Sequence, residues 1–184
     1  EQLGRGRLFT RGSAEEEDEH RTYISEVIKA CNHMAKRKIG ALIVFEGETG
    51  LNDVIESGTP LESKISSELL VNVFTPNALL HDGAVIIREN LVMAAGCYLP
   101  LSENPFISKE LGTRHRAAIG ISEISDAISV IVSEETGKIS LAMNGQIVRD
   151  IKEEALISKL FDELKPKKAK EKRFFAKLRG ERNG

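Results

Sequence analysis

Three short stretches carry residue types suited to phosphate chemistry. In "LHDGAVII" (80–87), His81 and Asp82 precede Gly83 and Ala84 on a loop that leads into an apolar run. Asp-Gly is common turn chemistry. The same residues could also let a ligand approach a nearly bare backbone at Gly83 and Ala84. An adjacent His and Asp could hold a hard cation against phosphate oxygens. In "GTRHRAAIG" (112–120), Thr113, Arg114, His115 and Arg116 open an apolar helical run. Helix starts favour acidic residues, because the peptide dipoles place positive charge there. Cations at that end are unfavourable unless an anion joins them. A phosphate would accept N–H bonds from the helix start, a hydroxyl bond from Thr113 and forked bonds from the arginines. The third stretch, "VSEETG" (132–137), sets Glu134, Glu135 and Thr136 at a strand end. It is ordinary turn chemistry unless the fold carries it to Asp82, where a carboxylate could bind a metal or a ribose. Tyr98, one of two tyrosines, closes a strand before Leu99-Pro100. It is either a packing residue or a face on which a nucleotide base could stack.

The surrounding elements follow from periodicity. Residues 22–37 carry Ile24, Val27, Ile28, Cys31 and Met34 at helical spacing, and "IGALIVFE" (39–46) is the continuous apolar run of a strand buried on both faces. Short helices are expected over 51–58 and over 66–74, the latter capped by Ser66 or Ser67. A hairpin turns at "RENL" between two apolar strands. A helix from about Arg114 to Ser122 follows, then strands over 127–133 and 139–145, a short strand in "QIVRD", and a closing helix over 152–164. Helices alternate with apolar strands, with hairpins interspersed. That pattern predicts a single α/β domain with a mixed, mainly buried, twisted β-sheet flanked by helices on both faces.

Charge is distributed unevenly. Residues 165–184 hold nine Lys or Arg and two Glu, a net of +7, which leaves −9 on the rest of the chain. Such an acidic body does not draw anions by its overall field, so a phosphate site must be made locally. The basic segment 165–184 is expected to be a mobile tail, residues 1–20 a Gly- and charge-rich linker, and residues 21–164 the folded domain. No stretch approaches the roughly 18 consecutive apolar residues of a membrane span. The chain opens at Glu1 without a signal-peptide pattern and is expected to continue upstream. Cys31 and Cys97 form no metal or redox spacing. They read as small buried residues in a reducing, cytosol-facing compartment.

"LLHDGAVII" followed by "GTRHRAA" resembles the diadenylate cyclase family, which makes cyclic di-AMP, over roughly residues 21–155. "IGALIVFE", "SSELL", "CYLPLSENPFISKELGTRHRAA" and "SEETG" are most similar to its membrane-anchored CdaA-type branch from Gram-positive bacteria. The resemblance implies that fold and a synthesis of cyclic di-AMP from two ATP across a face-to-face homodimer. It implies that Asp82 acts at the ribose 3′-hydroxyl and that Gly83 and Ala84 line ribose and phosphates. Thr113, Arg114, His115 and Arg116 would hold the triphosphate, and Tyr98 and Leu99 would sandwich the adenine. His81 and Glu135, with Asp82, would neighbour a divalent ion, magnesium or manganese. The resemblance further implies transmembrane helices upstream, with residues 1–20 linking them to a cytoplasmic catalytic domain. It implies a membrane regulatory protein and phosphoglucosamine mutase as partners. Nothing after residue 164 is long enough for the DNA-binding domain of the family's other branch, so no nucleic-acid partner is expected. Two readings from other classes remain open on the residues alone. One is a metal-dependent phosphohydrolase using His81 and Asp82, the other a non-catalytic nucleotide sensor.

Overall fold

The computed structural model describes residues 5–108 and 110–164, with residues 5–16 as backbone alone. The order is α1 (Arg5–Arg37), β1 (Ala41–Phe45), α2 (Asn52–Glu56), β2 (Thr59–Lys64), α3 (Ser67–Phe74), β3 (Ala84–Arg88) and β4 (Leu91–Cys97). There follow α4 (Thr113–Ile124), β5 (Ile128–Val132), β6 (Ile139–Met143), β7 (Gln146–Val148) and α5 (Glu153–Glu163). The strands form a single mixed sheet in the order β2-β4-β3-β1-β5-β6-β7. β1 and β3 run parallel, while the other pairs are antiparallel.

Alternation along β1 explains why its apolar run is unbroken. Ala41, Ile43 and Phe45 pack on one side with Val27, Cys31 and Met34 of α1, Leu70 and Phe74 of α3, and Leu156 and Leu160 of α5. Leu42 and Val44 pack on the other with Ala118, Ile119 and Ile121 of α4 and with Leu51 beside α2. Successive side chains leave a strand on opposite faces, so a strand covered twice must be apolar throughout. This is the expected α/β domain with helices on both faces of a mixed sheet.

Register then gathers the chemistry. Ala41 pairs with Val132 and Ile43 with Val85. Continuing the two ladders, Gly40 lies one step past Ala41–Val132, toward Ser133, and three positions before Ile43–Val85, toward Asp82. The start of β1, the approach to β3 and the end of β5 therefore meet at one edge of the sheet. Parallel pairing of β1 with β3 and antiparallel pairing with β5 make that convergence unavoidable.

Two elements depart from expectation. Helix α1 reaches back to Arg5 through the segment expected as a linker. Helix-favouring glutamates at 15–17 lie there, and the core-facing side already begins at His20. That buried imidazole meets Tyr23 edge-on at 4.9 Å and Phe161 of α5 at 5.3 Å. A search for apolar periodicity does not see a histidine in that role. Strand β2 was not anticipated. It is an edge strand that contains Pro60 and a bulge between Pro60 and Ser63, with Glu62 at φ 46°. Such edges carry little strand signal. The expected basic tail, 165–184, lies outside the described residues.

α4 crosses the loop after β4 closely. A Cβ on Gly120 would stand 2.1 Å from the Pro100 carbonyl oxygen and 2.8 Å from the Ser102 nitrogen. Both are main-chain atoms that cannot swing aside. Gly120→Ala should therefore lose about 1–3 kcal/mol of stability despite the better helix propensity of alanine. Urea unfolding measures this, and an unchanged midpoint would show that the crossing is looser than described.

Candidate active site

The start of α4 forms a wall between two clefts at the converged sheet edge. Gly112 is its N-cap, in extended conformation and without a side-chain cap bond, and its first turn holds no acid. The first amides of a helix have no intrahelical acceptor. Here they are joined by Thr113, Arg114 and His115. The first cleft, about 310 Å³, brings together Thr113, Arg114, Glu134, His81, Asp82 and Gly83. The second, about 330 Å³, shares Thr113, Arg114 and Glu134 and adds His115, Glu135, Lys138 and Arg149.

In the first cleft, His81 Nδ1 donates to the Ala78 carbonyl oxygen at 2.5 Å. That bond places a proton on Nδ1 and orients the ring, so that in the neutral imidazole Nε2 is free to accept. Nε2 faces Asp82 Oδ1 at 3.6 Å, and the Asp82 side chain is 86% exposed. The two atoms are donors that one cation could share. No group of three His, Cys, Asp or Glu side chains able to hold a metal occurs among the described residues. The pair therefore suits an ion whose remaining ligands are substrate phosphates and water, as is usual for magnesium.

Arg114 Nη1 donates to Glu134 Oε2 at 2.8 Å, while its Nε is buried without a partner. Arg116 is placed differently. Its Nη2 donates to the Ser102 carbonyl at 2.9 Å, and the Ser102 amide returns a bond to the Arg116 carbonyl at 3.0 Å. Ser102 Oγ also donates to Glu123 at 2.5 Å. Arg116 thus knits the loop after β4 to α4 and lines neither cleft.

Other expected residues divide likewise. Gly83 borders the first cleft, but its glycine has a structural cause. Its φ is +109°, and a Cβ would lie 2.7 Å from the Cys97 carbonyl oxygen. Ala84 is fully buried under α4. Tyr98 is 76% exposed at the end of β4, with its amide on Ser57 Oγ at 3.0 Å, and Leu99 packs into the core below. Neither lines a cleft. Glu134 is the glutamate beside His81 and Asp82, whereas Glu135 lines only the second cleft.

Gly40, Phe74 and Pro76 complete the first cleft, and Lys138 and Arg149 are among the further residues of the second. The sequence reading missed all five. Only the register of β1 against β3 and β5 marks Gly40, and no local pattern marks the others. The second cleft's cations are already paired, Lys138 with Asp150 at 2.9 Å and Arg149 with Glu110 at 3.7 Å. Burial, with Arg149 adding to it and Glu135 opposing, holds His115 below its ordinary 6.5.

Known proteins share this sequence and shape. A family model described as DisA bacterial checkpoint controller nucleotide-binding, DAC, matches residues 28–147. The chain is 58% identical over 165 residues to cyclic di-AMP synthase CdaA of Bacillus subtilis, covering 90% of this chain and 60% of that protein. It is 53% identical over 180 residues to a diadenylate cyclase of Listeria monocytogenes, covering 98% and 66%. It therefore spans between three-fifths and two-thirds of these curated relatives. A crystal structure of a DacA double mutant from Staphylococcus aureus is similar at TM-score 0.77 and 57% identity, over 79% of this chain and 97% of that one.

His115 provides a reporter for anion binding at the helix start. A depressed histidine pKa means that the imidazole is neutral at pH 7 and that protonation on acidification, below the ordinary 6.5, works against the fold. Its NMR titration should fall below 6.5 in the free protein and move upward when magnesium tripolyphosphate is added. A free value at or above 6.5, or no upward movement with the anion, would contradict this electrostatic picture.

Proposed function

The chain belongs to the diadenylate cyclase, or DAC, family, and from that premise we propose that it condenses two ATP into cyclic di-AMP and releases two pyrophosphates. The observation that carries the proposal is the helix start at Thr113–His115. It is cationic and free of acid, and it stands across one cleft from Asp82. Thr113, Arg114 and His115 would take the triphosphate there through charge-assisted and main-chain bonds. Arg116, engaged with Ser102, would position the loop after β4 and not touch phosphate. Gly83 would border ribose and phosphate, with Ala84 supporting it from the core. Tyr98 and Leu99 are assigned to adenine on the resemblance, and the exposed Tyr98 ring offers a free face for a base.

Each 3′-hydroxyl oxygen would attack the α-phosphorus of the other nucleotide. A new P–O bond forms, the bond to the bridging oxygen of the β-phosphate breaks, and pyrophosphate leaves. Asp82 would accept a hydrogen bond from the attacking hydroxyl and then its proton. The product has two-fold symmetry, so two identical half-sites meeting face to face are the simplest catalyst. The outward, largely exposed carboxylate of Asp82 suits action on a nucleotide held by a second copy. The protein's contribution is then positioning and charge neutralisation.

His81 Nε2 and Asp82, together with phosphate oxygens, would hold a divalent ion, magnesium or manganese. Such an ion supplies electrophilic activation of the phosphate and eases ionisation of the hydroxyl. Residues 21–164 would constitute the catalytic domain. The chain is also similar, at TM-score 0.67 and 44% identity over 70% of its length and 63% of the other, to the crystal structure of a hypothetical membrane spanning protein from Bacillus cereus. That likeness supports a place for the whole protein at a membrane, with residues 1–20 leading toward the anchor. Among the described residues no helix is long and apolar enough to cross one.

Incubation with ATP and manganese, followed by chromatography, should yield a cyclic dinucleotide and pyrophosphate. ADP or AMP without a cyclic product would instead indicate a hydrolase. Asp82→Asn, which keeps shape and removes charge, should lower turnover by about 100-fold or more while melting is unchanged. Near-normal synthesis by this variant would remove Asp82 from the reaction.

A further inference from the structure

Gly40 lies between α1 and β1, directly beneath the ion pair at the site. A Cβ built on it would stand 2.4 Å from Arg114 Nη1, 2.9 Å from Arg114 Cζ and 2.9 Å from Glu134 Oε2. The guanidinium and its carboxylate partner therefore rest on a bare Cα. Two other glycines near the site have different causes. Gly83 has a positive φ and abuts the β4 main chain, and Gly120 abuts the Pro100 carbonyl. Gly40 is not among the residues with positive φ, and its near contacts are the far ends of two long side chains. Neither backbone conformation nor main-chain packing explains the missing side chain. What it makes room for is the placement of Arg114.

Arg114 is held at two points, by Glu134 on Nη1 and by Gly40 beneath the guanidinium plane. Its Nε is buried and unpartnered. Arg114 lines both clefts, so an anion entering either would meet its guanidinium. We propose that Gly40 is a positioning residue for the triphosphate: its bare Cα seats the Arg114 guanidinium, with Glu134 as the stop, at the wall shared by the two clefts. The proposal rests on the reading that Arg114 meets the nucleotide's phosphates. A methyl group at position 40 displaces the guanidinium and leaves the sheet intact, because the clashing atoms belong to a flexible side chain.

The test is a double-mutant cycle of Gly40→Ala and Arg114→Ala. Calorimetry would measure binding of magnesium 3′-deoxy-ATP, which lacks the attacking hydroxyl and cannot cyclise, and of 3′-deoxyadenosine. Each single variant should bind the triphosphate at least about tenfold more weakly and the nucleoside within about twofold of the parent. The double variant should be no weaker than Arg114→Ala alone, because the seat has no function once its occupant is gone. Melting of Gly40→Ala should match the parent. Parent-like triphosphate binding by Gly40→Ala, additive losses in the double variant, or equal losses for both ligands with lowered melting would each overturn the positioning role. In those cases the loss in Arg114→Ala still upholds the phosphate reading. Unchanged binding by Arg114→Ala would overturn that reading and the inference together.

Discussion

Positive charge at the start of α4 is the constraint on which the site depends. The helix dipole and the cations of the first turn add there, and no acid in that turn offsets them. Glu134 answers part of the charge from a different element, the turn after β5. What remains is a partly compensated cationic pocket on an otherwise acidic body. Such a pocket is specific because its field is local. An anion must reach the helix start itself, since the surface at large does not attract it.

The sheet makes this arrangement possible by bringing three distant segments to one edge. β1 pairs in parallel with β3 and antiparallel with β5. The segments before β1 and β3 and the one after β5 must then meet, whatever their own sequence. α4 is pressed onto the same face through Ala118, Ile119 and Ile121, and its register is set by the crossing at Gly120 and the Arg116–Ser102 bonds. Arg114 therefore stands on α4, while Asp82 and Glu134 stand on short segments anchored by β3 and β5. This suits a reaction in which geometry and electrostatics supply most of the rate.

Much of this was legible in the sequence. The buried central strand, the hairpin and the cationic helix start each announce themselves through composition over a few residues. His81 and Asp82 were legible for the same reason. The departures share a different physical origin. Arg114 and Arg116 sit two residues apart in one motif. A helix turns them to different sides, so one reaches the clefts and the other a loop carbonyl. Glu134 and Glu135 are adjacent, yet only Glu134 stands beside Asp82. Strand β2 is polar, bulged and interrupted by Pro60, so it exists through pairing with β4. Gly40 is invisible locally, because its role is defined by a side chain 74 positions away in the chain. Local pattern identifies which segments carry chemistry. Tertiary register decides which residue in each segment performs it.

On the proposed reaction, one chain carries half of a two-fold catalytic site. This rests on the exposed Asp82 carboxylate and on the symmetry of the proposed product. The most direct measurement is initial rate against enzyme concentration at saturating ATP and metal, alongside sedimentation. Specific activity should rise with enzyme concentration and level off as the dimer becomes populated. Constant specific activity down to concentrations at which only monomer sediments would contradict it.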